Sequence, residues 1–398
     1  MPDDLSSVAA GQESGAVATA VRELIEGVRA GEALRAGGLT LIPLLPATER
    51  VKRQSGYLPL EEALKLGLVT VTEQAQATVP ELMATSTAET PVVLVGGEQV
   101  IGGLQNRVLN TTILVAAHVT QPIPVTCVEA GRWHDTGAYA AYANVADDDD
   151  APVSMDANVA QAPTPRRQTA ARAFTSDEAG YASLRRMHSK AVTASLSSGR
   201  GHRSDQGAVW GEVSARMIST GSYSSSDAMD TLYKTPERAN KLAETMGTLK
   251  RPDGALGFVA AVGSKVLGAE IFTDEALADA YWEKLARSYA VEALDAAPGG
   301  DDTTNTTATG DDAINVGEAR LLADALAADI QVHPSPGLGA DARLVGSHVS
   351  GAGLVYDGAV VHLSLFPEDE ASGEPDDSGE QQPTQAQRHY GGHRQSGS

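Results

Sequence analysis

The chain has 398 residues, 52 acidic against 30 basic side chains, a formal charge of −22 and one cysteine. Its 42% hydrophobic content supports sizeable cores, enough for about two or three compact units. The acidity argues against a default nucleic-acid or anionic-membrane binder, because phosphates are held by Lys and Arg, and the lone Cys127 excludes an intrachain disulfide framework.

Of the basic residues 22 are Arg and 8 are Lys, a bias that suits, with the acidity, a concentrated-salt cytoplasm. No window holds the roughly 18 uninterrupted apolar residues that span a bilayer. Met1 to Ser14 lacks the basic-then-apolar pattern of an export signal, so a cytoplasmic location without membrane contact is expected.

Residues 1–37 read as a flexible N-terminal segment with one helix over Thr19 to Ala30, where Val21, Leu24, Ile25 and Val28 form a stripe. Residues 38–140 read as a β-rich domain, a sandwich or open barrel. Within it Leu60 to Leu66 is a short helix stopped by Gly67. Val92 to Val95 and Gln99 to Ile101 flank Gly96-Gly97, which predicts a hairpin with a primed turn. Val108 to Val115 and Pro122 to Glu129 form a second apolar pair.

Residues 141–165, with Asp147 to Asp150, read as an acidic linker. Residues 166–366 read as an α+β domain of antiparallel strands covered by helices, with an acidic insertion near 297–315. Ser204 or Asp205 caps a helix carrying Val209, Trp210, Val213 and Met217, and Asp274 caps another carrying Leu277, Tyr281, Leu285 and Tyr289. Hairpins are predicted around Gly263-Ser264 and, with the strongest turn signal, around Asp357-Gly358. In the strand after that turn His362 alternates away from Val361, Leu363 and Leu365 and is expected to be half-exposed. Residues 367–398 read as a disordered acidic tail. The linker, insertion and tail together carry −14 of the total −22, so the acidity belongs mostly to solvated segments.

Polar side chains crowd onto otherwise apolar strands at Glu98, Gln105, Asn106, Arg107 and Asn110, then at Cys127, Glu129, Arg132 and Trp133. Two readings stay open. In one, a structural network has the amides satisfying turns while Glu129 pairs with an arginine. In the other, Arg107 and Arg132 hold an anionic group, Trp133 stacks on a planar ring, and Gln105 and Asn106 read its edge, a combination that suits a nucleotide. Glu129 is then the candidate general acid or base, since alternation places it at the end of an apolar face. Cys127 reads as an inert buried thiol rather than a nucleophile served by His118 or His134. No paired spacing suggests a metal, and no cofactor is identified.

Arg166 to Arg203 carries a local balance of +6 and leads into a helix start near Gln206. Such a run pairs with the chain's own acids, or makes an anion site at the helix mouth that includes Gln206.

The strings Gly96-Gly97-Glu98, Gln105-Asn106-Arg107, Asn110-Thr111-Thr112, Pro124 to Glu129, Gly131-Arg132-Trp133 and Asp205 to Trp210 resemble the ADP-ribosylglycohydrolase- and rhodanese-phosphatase-superfamily-associated protein domain. So do Leu285 to Leu294 and Val360 to Phe366, and the resemblance spans roughly 38 to 366 without the acidic linkers. It implies association with enzymes that remove ADP-ribose or transfer phosphate and sulfur, and it assigns no reaction to the domain. The expected ligand is an ADP-ribose-like or other nucleotide-type small molecule, bound through Gln105, Asn106, Arg107, Asn110, Glu129, Arg132, Trp133 and Gln206. The alternative is a structural or interaction protein that docks a protein partner.

Overall fold

The computed structural model describes residues 3–48, 51–74, 80–130, 174–296 and 309–368. The acidic linker, the tail beyond 368, Arg132, Trp133 and His134 lie outside the described residues, as does the insertion up to 308.

In chain order, α1 (Asp3–Glu26) leads into β1 (Val28–Ala30), β2 (Leu34–Ala36) and β3 (Leu39–Pro46). Next come β4 (Leu58–Pro59), α2 (Leu60–Lys65), β5 (Val69–Thr72), β6 (Glu81–Ser86), β7 (Val92–Leu94) and β8 (Glu98–Ile101). They are followed by β9 (Arg107–Leu109), β10 (Ile113–Val115), β11 (Thr120–Cys127) and β12 (Thr175–Ala179). Four helices follow: α3 (Ala182–Ser197), α4 (Gln206–Ser219), α5 (Thr231–Lys234) and α6 (Pro236–Thr248). The last group is β13 (Gly257–Val262), β14 (Lys265–Phe272), α7 (Glu275–Asp295), α8 (Thr309–Ala327), β15 (Asp329–Pro334), β16 (Ala340–Val345), β17 (Val349–Tyr356) and β18 (Ala359–Pro367).

The architecture is mixed α+β. A nine-stranded antiparallel sheet runs β1-β3-β13-β14-β18-β17-β16-β15, with β2 also on β3. β3 pairs along its length with β13, so residues early in the chain complete the sheet of the second half. One face is covered by α1 and α8 through Val21, Leu24, Ile25, Leu321 and Ala325. The other is covered by α7 and by a smaller β body, with Tyr281, Leu285 and Tyr289 packing beside Val93, Val95 and Leu114. That body holds a six-stranded sheet, β12-β8-β9-β11-β6-β5, and a three-stranded one, β10-β7-β4, around a shared core that includes Val71, Leu82, Leu94, Leu109 and Ile123.

Local signals explain many of these elements. The Asp205 side chain accepts from Ala208 N–H at 3.0 Å and Asp274 from Ala276 N–H at 2.8 Å, each satisfying a donor of the first helical turn. At the β17–β18 turn Tyr356 pairs with Ala359, and φ is 51° at Asp357 and 70° at Gly358, the two left-handed positions a type I′ turn requires. The Gly263-Ser264 hairpin forms as well, with Val262 opposite Lys265. On α7, Phe258 meets Trp282 edge-on at 5.0 Å and Phe272 stacks on Tyr281 at 5.7 Å, so the four-residue stripe is core.

Three expectations fail. The helix read over Thr19 to Ala30 ends at Glu26, and Val28–Ala30 forms β1, paired antiparallel with β3. β7 and β8 do not form a hairpin: β7 pairs with β10 and β4, and β8 with β9 and β12. Glu98 N–H bonds to Val95 C=O at 3.0 Å with φ 84° at Gly97, a type II turn, which splays strands where a primed turn would align them. The glycine pair is a corner between two sheets. His362 is 1% exposed rather than half-exposed, because both faces of the large sheet are covered and alternation in β18 points to two interiors.

Candidate functional site at the seam

Most of the sequence-predicted candidates lie in one buried network of the smaller β body. Gln105, Asn106, Arg107 and Glu129 are all 2% exposed or less. Gln105 Nε2 donates to Glu129 C=O at 2.8 Å, and Asn106 N–H donates to Glu129 Oε2 at 3.0 Å. Arg107 Nη1 donates to Gln105 C=O at 3.0 Å, while its Nη2 stands 3.6 Å from Glu73 Oε1. Gln206 accepts from Cys127 N–H at 2.9 Å and donates to Cys127 C=O at 2.7 Å, so its amide takes the place of a neighbouring strand at the end of β11. The mouth of α4 is therefore occupied by Asp205 and by the Gln206–Cys127 pairing. Burial pushes the Cys127 thiol up to about 11, leaving almost no thiolate at neutral pH.

Asn110 leads elsewhere. It lies just beyond β9, where its Nδ2 donates to His202 C=O at 2.7 Å and its Oδ1 accepts from Thr126 Oγ1 at 2.7 Å. Its Oδ1 also lies 2.9 Å from His188 Nε2 on α3. His188 is held down at about 3 by burial and then by the charge of Arg343, so it is neutral and donates through Nε2. Asn110, His188 and Arg343 line a cavity where the smaller β body, α3 and strands β16–β18 meet. Its remaining wall includes Thr111, Thr112, Arg185, Ser189 and Ser364.

Two buried ion pairs flank the cavity. On one side Glu270, 0% exposed, accepts from Arg185 Nη2 at 2.5 Å and Tyr289 O–H at 2.7 Å through Oε1. Its Oε2 accepts from His362 Nε2 at 3.0 Å and Ser364 O–H at 2.7 Å. Burial alone would raise this carboxyl, but the Arg185 guanidinium, helped by His362, outweighs it and holds Glu270 at about 2. His362 Nδ1 is 2.9 Å from Thr112 Oγ1, which ties the large sheet to the smaller body. On the other side Asp341 Oδ2 accepts from Arg343 Nη2 at 2.7 Å, Thr111 O–H at 2.9 Å and His202 Nε2 at 2.8 Å. Burial again works against the ionised Asp341, and the Arg343 charge prevails, holding it below the usual carboxylate range.

The arginines are incompletely used. Arg185 is 4% and Arg343 0% exposed, yet Nε and Nη1 of each have no hydrogen-bond partner among the described residues, and neither has Ser189 Oγ. Buried donors left unmet cost about 1–3 kcal/mol each, and charged ones more, so this concentration at one cavity calls for an acceptor that the described residues do not supply. Gly97 makes the arrangement possible, since a Cβ at that position would collide with the Arg185 side chain.

Of these residues Asn110 was legible in the sequence as a site candidate and Arg185 only as one member of the basic run Arg166 to Arg203, whereas His188, Glu270, Asp341 and Arg343 were not singled out. One signal was available: Glu270 and Arg343 interrupt apolar stretches of central strands, where a charge needs a buried partner. Among the described residues no cluster of His, Cys, Asp and Glu could hold a metal, and no helix is long and apolar enough to cross a membrane.

Fold and cavity together define an α+β protein with a buried, arginine-lined polar cavity at the seam of two β bodies. Residues 27–366 match the ARG and Rhodanese-Phosphatase-superfamily-associated Protein domain, ARPP-1, and the chain belongs to that family. No curated protein and no solved structure matches it.

Proposed function

We propose that this chain binds an anionic small molecule through the seam cavity, the anionic group facing Arg185, Arg343, Ser189 and Asn110. The observation that carries this reading is the set of unmet guanidinium N–H groups, since arginine forks match phosphate and carboxylate oxygens. The family name, with its phosphatase context, makes phosphate-bearing ligands the first class to test, ADP-ribose and nucleotides among them. For Gln105, Asn106, Arg107, Glu129 and Gln206, complete burial or engagement with backbone supports a second reading, in which that network secures the fold.

The test is calorimetry and thermal shift with ADP-ribose, ADP, AMP, inorganic phosphate and sulfate, each at millimolar concentration in KCl. A ligand that binds only the folded chain at 100 times its Kd adds about 2.7 kcal/mol of stability. At least one of these anions is expected to raise the melting temperature saturably. No shift with any of them refutes anion binding at the seam.

A further inference from the structure

Resting on that reading, we infer that the cavity takes one free tetrahedral oxyanion, phosphate or sulfate, held entire and without its water shell, and that it excludes nucleotides. Three observations narrow the class. The cavity leaves about 30 Å³ open to the centre of a water molecule, room for about two waters, and the oxygens of one tetrahedral anion need comparable space. A ribose or a base does not fit within that volume beside the anion. Of the two aromatic rings in the wall, Phe366 already lies under Arg185 at 5.6 Å, and the His188 imidazole is engaged through Nε2 by Asn110 Oδ1, so neither stands free as a stacking platform for a base.

The second observation is the kind of hydrogen-bonding groups left over. Nε and Nη1 of both arginines can only donate, whereas the carboxylate oxygens of Glu270 and Oδ2 of Asp341 already accept from the protein. Asn110 Oδ1 is likewise taken by Thr126 and His188. A ligand composed mainly of acceptors satisfies this surplus, as sulfate does with all its oxygens and hydrogen phosphate with its unprotonated ones. Asp341 Oδ1 is also without a partner among the described residues, but Asp341 is not part of the cavity wall.

The third observation is charge balance. Each arginine faces its own carboxylate, at 2.5 Å for Arg185–Glu270 and 2.7 Å for Arg343–Asp341, so the site is electrically balanced before anything enters. Selection then rests on directed hydrogen bonds at short range and not on long-range attraction, which a chain of charge −22 does not offer an anion. Buried contacts of this kind are little screened, so affinity should vary less than about threefold between 0.1 and 1 M KCl.

The experiment titrates the full chain with inorganic phosphate and with sulfate, and separately with ADP-ribose and ADP, at constant KCl. Phosphorus NMR of phosphate, with sulfate as competitor, shows which anion is preferred. The expected result is saturable 1:1 binding of at least one inorganic oxyanion and none of either nucleotide. Arg343→Lys should weaken it about tenfold or more, because the charge remains but the fork is lost. Since Arg343 is fully buried and its variant can fail to fold, Ala352→Leu provides a second test. Ala352 lines the cavity and carries no charge, so the larger side chain should abolish binding in a protein that still unfolds cooperatively. Nucleotide binding that Ala352→Leu abolishes, without oxyanion binding, overturns this inference and leaves the proposed function standing. Oxyanion binding unaffected by Ala352→Leu places the ligand elsewhere and overturns it. Absence of binding by every anion overturns both.

Discussion

Replacing Glu270 by Gln tests whether the seam is held by a charge pair or by packing alone. The two oxygens of Glu270 accept four hydrogen bonds, two from Arg185 and Tyr289 and two from His362 and Ser364. An amide keeps the shape and one acceptor, and the Ser364 hydroxyl can turn away from the new NH₂ group. What it cannot do is neutralise Arg185, which is 4% exposed and whose counter-charge at 2.5 Å is Glu270. Removing one partner of a buried pair costs about 3–5 kcal/mol, well above the roughly 1 kcal/mol net value of a single neutral hydrogen bond. Urea unfolding followed by circular dichroism should therefore show a lower midpoint at unchanged slope, corresponding to a loss of about 3–5 kcal/mol. Arg185→Met combined with Glu270→Gln should lose less than Glu270→Gln alone, because it also removes the stranded charge. A loss below about 1 kcal/mol for Glu270→Gln, or strictly additive costs in the double variant, refutes the reasoning.

The same carboxyl predicts an acid limb. Glu270 sits at about 2 in the folded chain against an ordinary 4.5, so its contribution is complete above the ordinary value and drains away as pH falls toward 2. The difference is worth about 3 kcal/mol, and Glu270→Gln should flatten the fall in stability measured between pH 5 and 2.5. Asp341, also held low, adds to the limb with the same sign. Gln206→Leu should cost about 2–4 kcal/mol in the same urea assay by stranding the N–H and C=O of Cys127, and a loss below about 0.5 kcal/mol would show that β11 is not held there. Cys127, buried and pushed up to about 11, should resist a thiol reagent at pH 8 in the folded protein and react at once in urea. Prompt labelling of the folded chain would contradict that burial.

Features that depend on neighbours along the chain were legible in the sequence. Asp205 and Asp274 announce helices because a cap needs only donors two or three residues away, and Asp357-Gly358 announces a hairpin because the turn geometry is set by two φ angles. The apolar stripe of α7 and the burial of Cys127 were legible for the same reason. The polar cluster around Gln105 and Glu129 was also visible, although its partners were not.

Which strands pair and which faces close depends instead on contacts between distant segments. Gly96-Gly97 offers the same glycines to a primed turn or to a corner, and the choice rests on β10 and β9, which claim β7 and β8 from farther along the chain. His362 looked half-solvated because alternation states that two sides differ, not that one of them meets water. The seam cavity joins Asn110 to Arg185, Glu270 and Arg343, a convergence that comes from sheets packing face to face. No periodicity encodes such a convergence, because the residues share neither a helix nor a strand, and because a buried charge on one strand names its need for a partner without naming the partner.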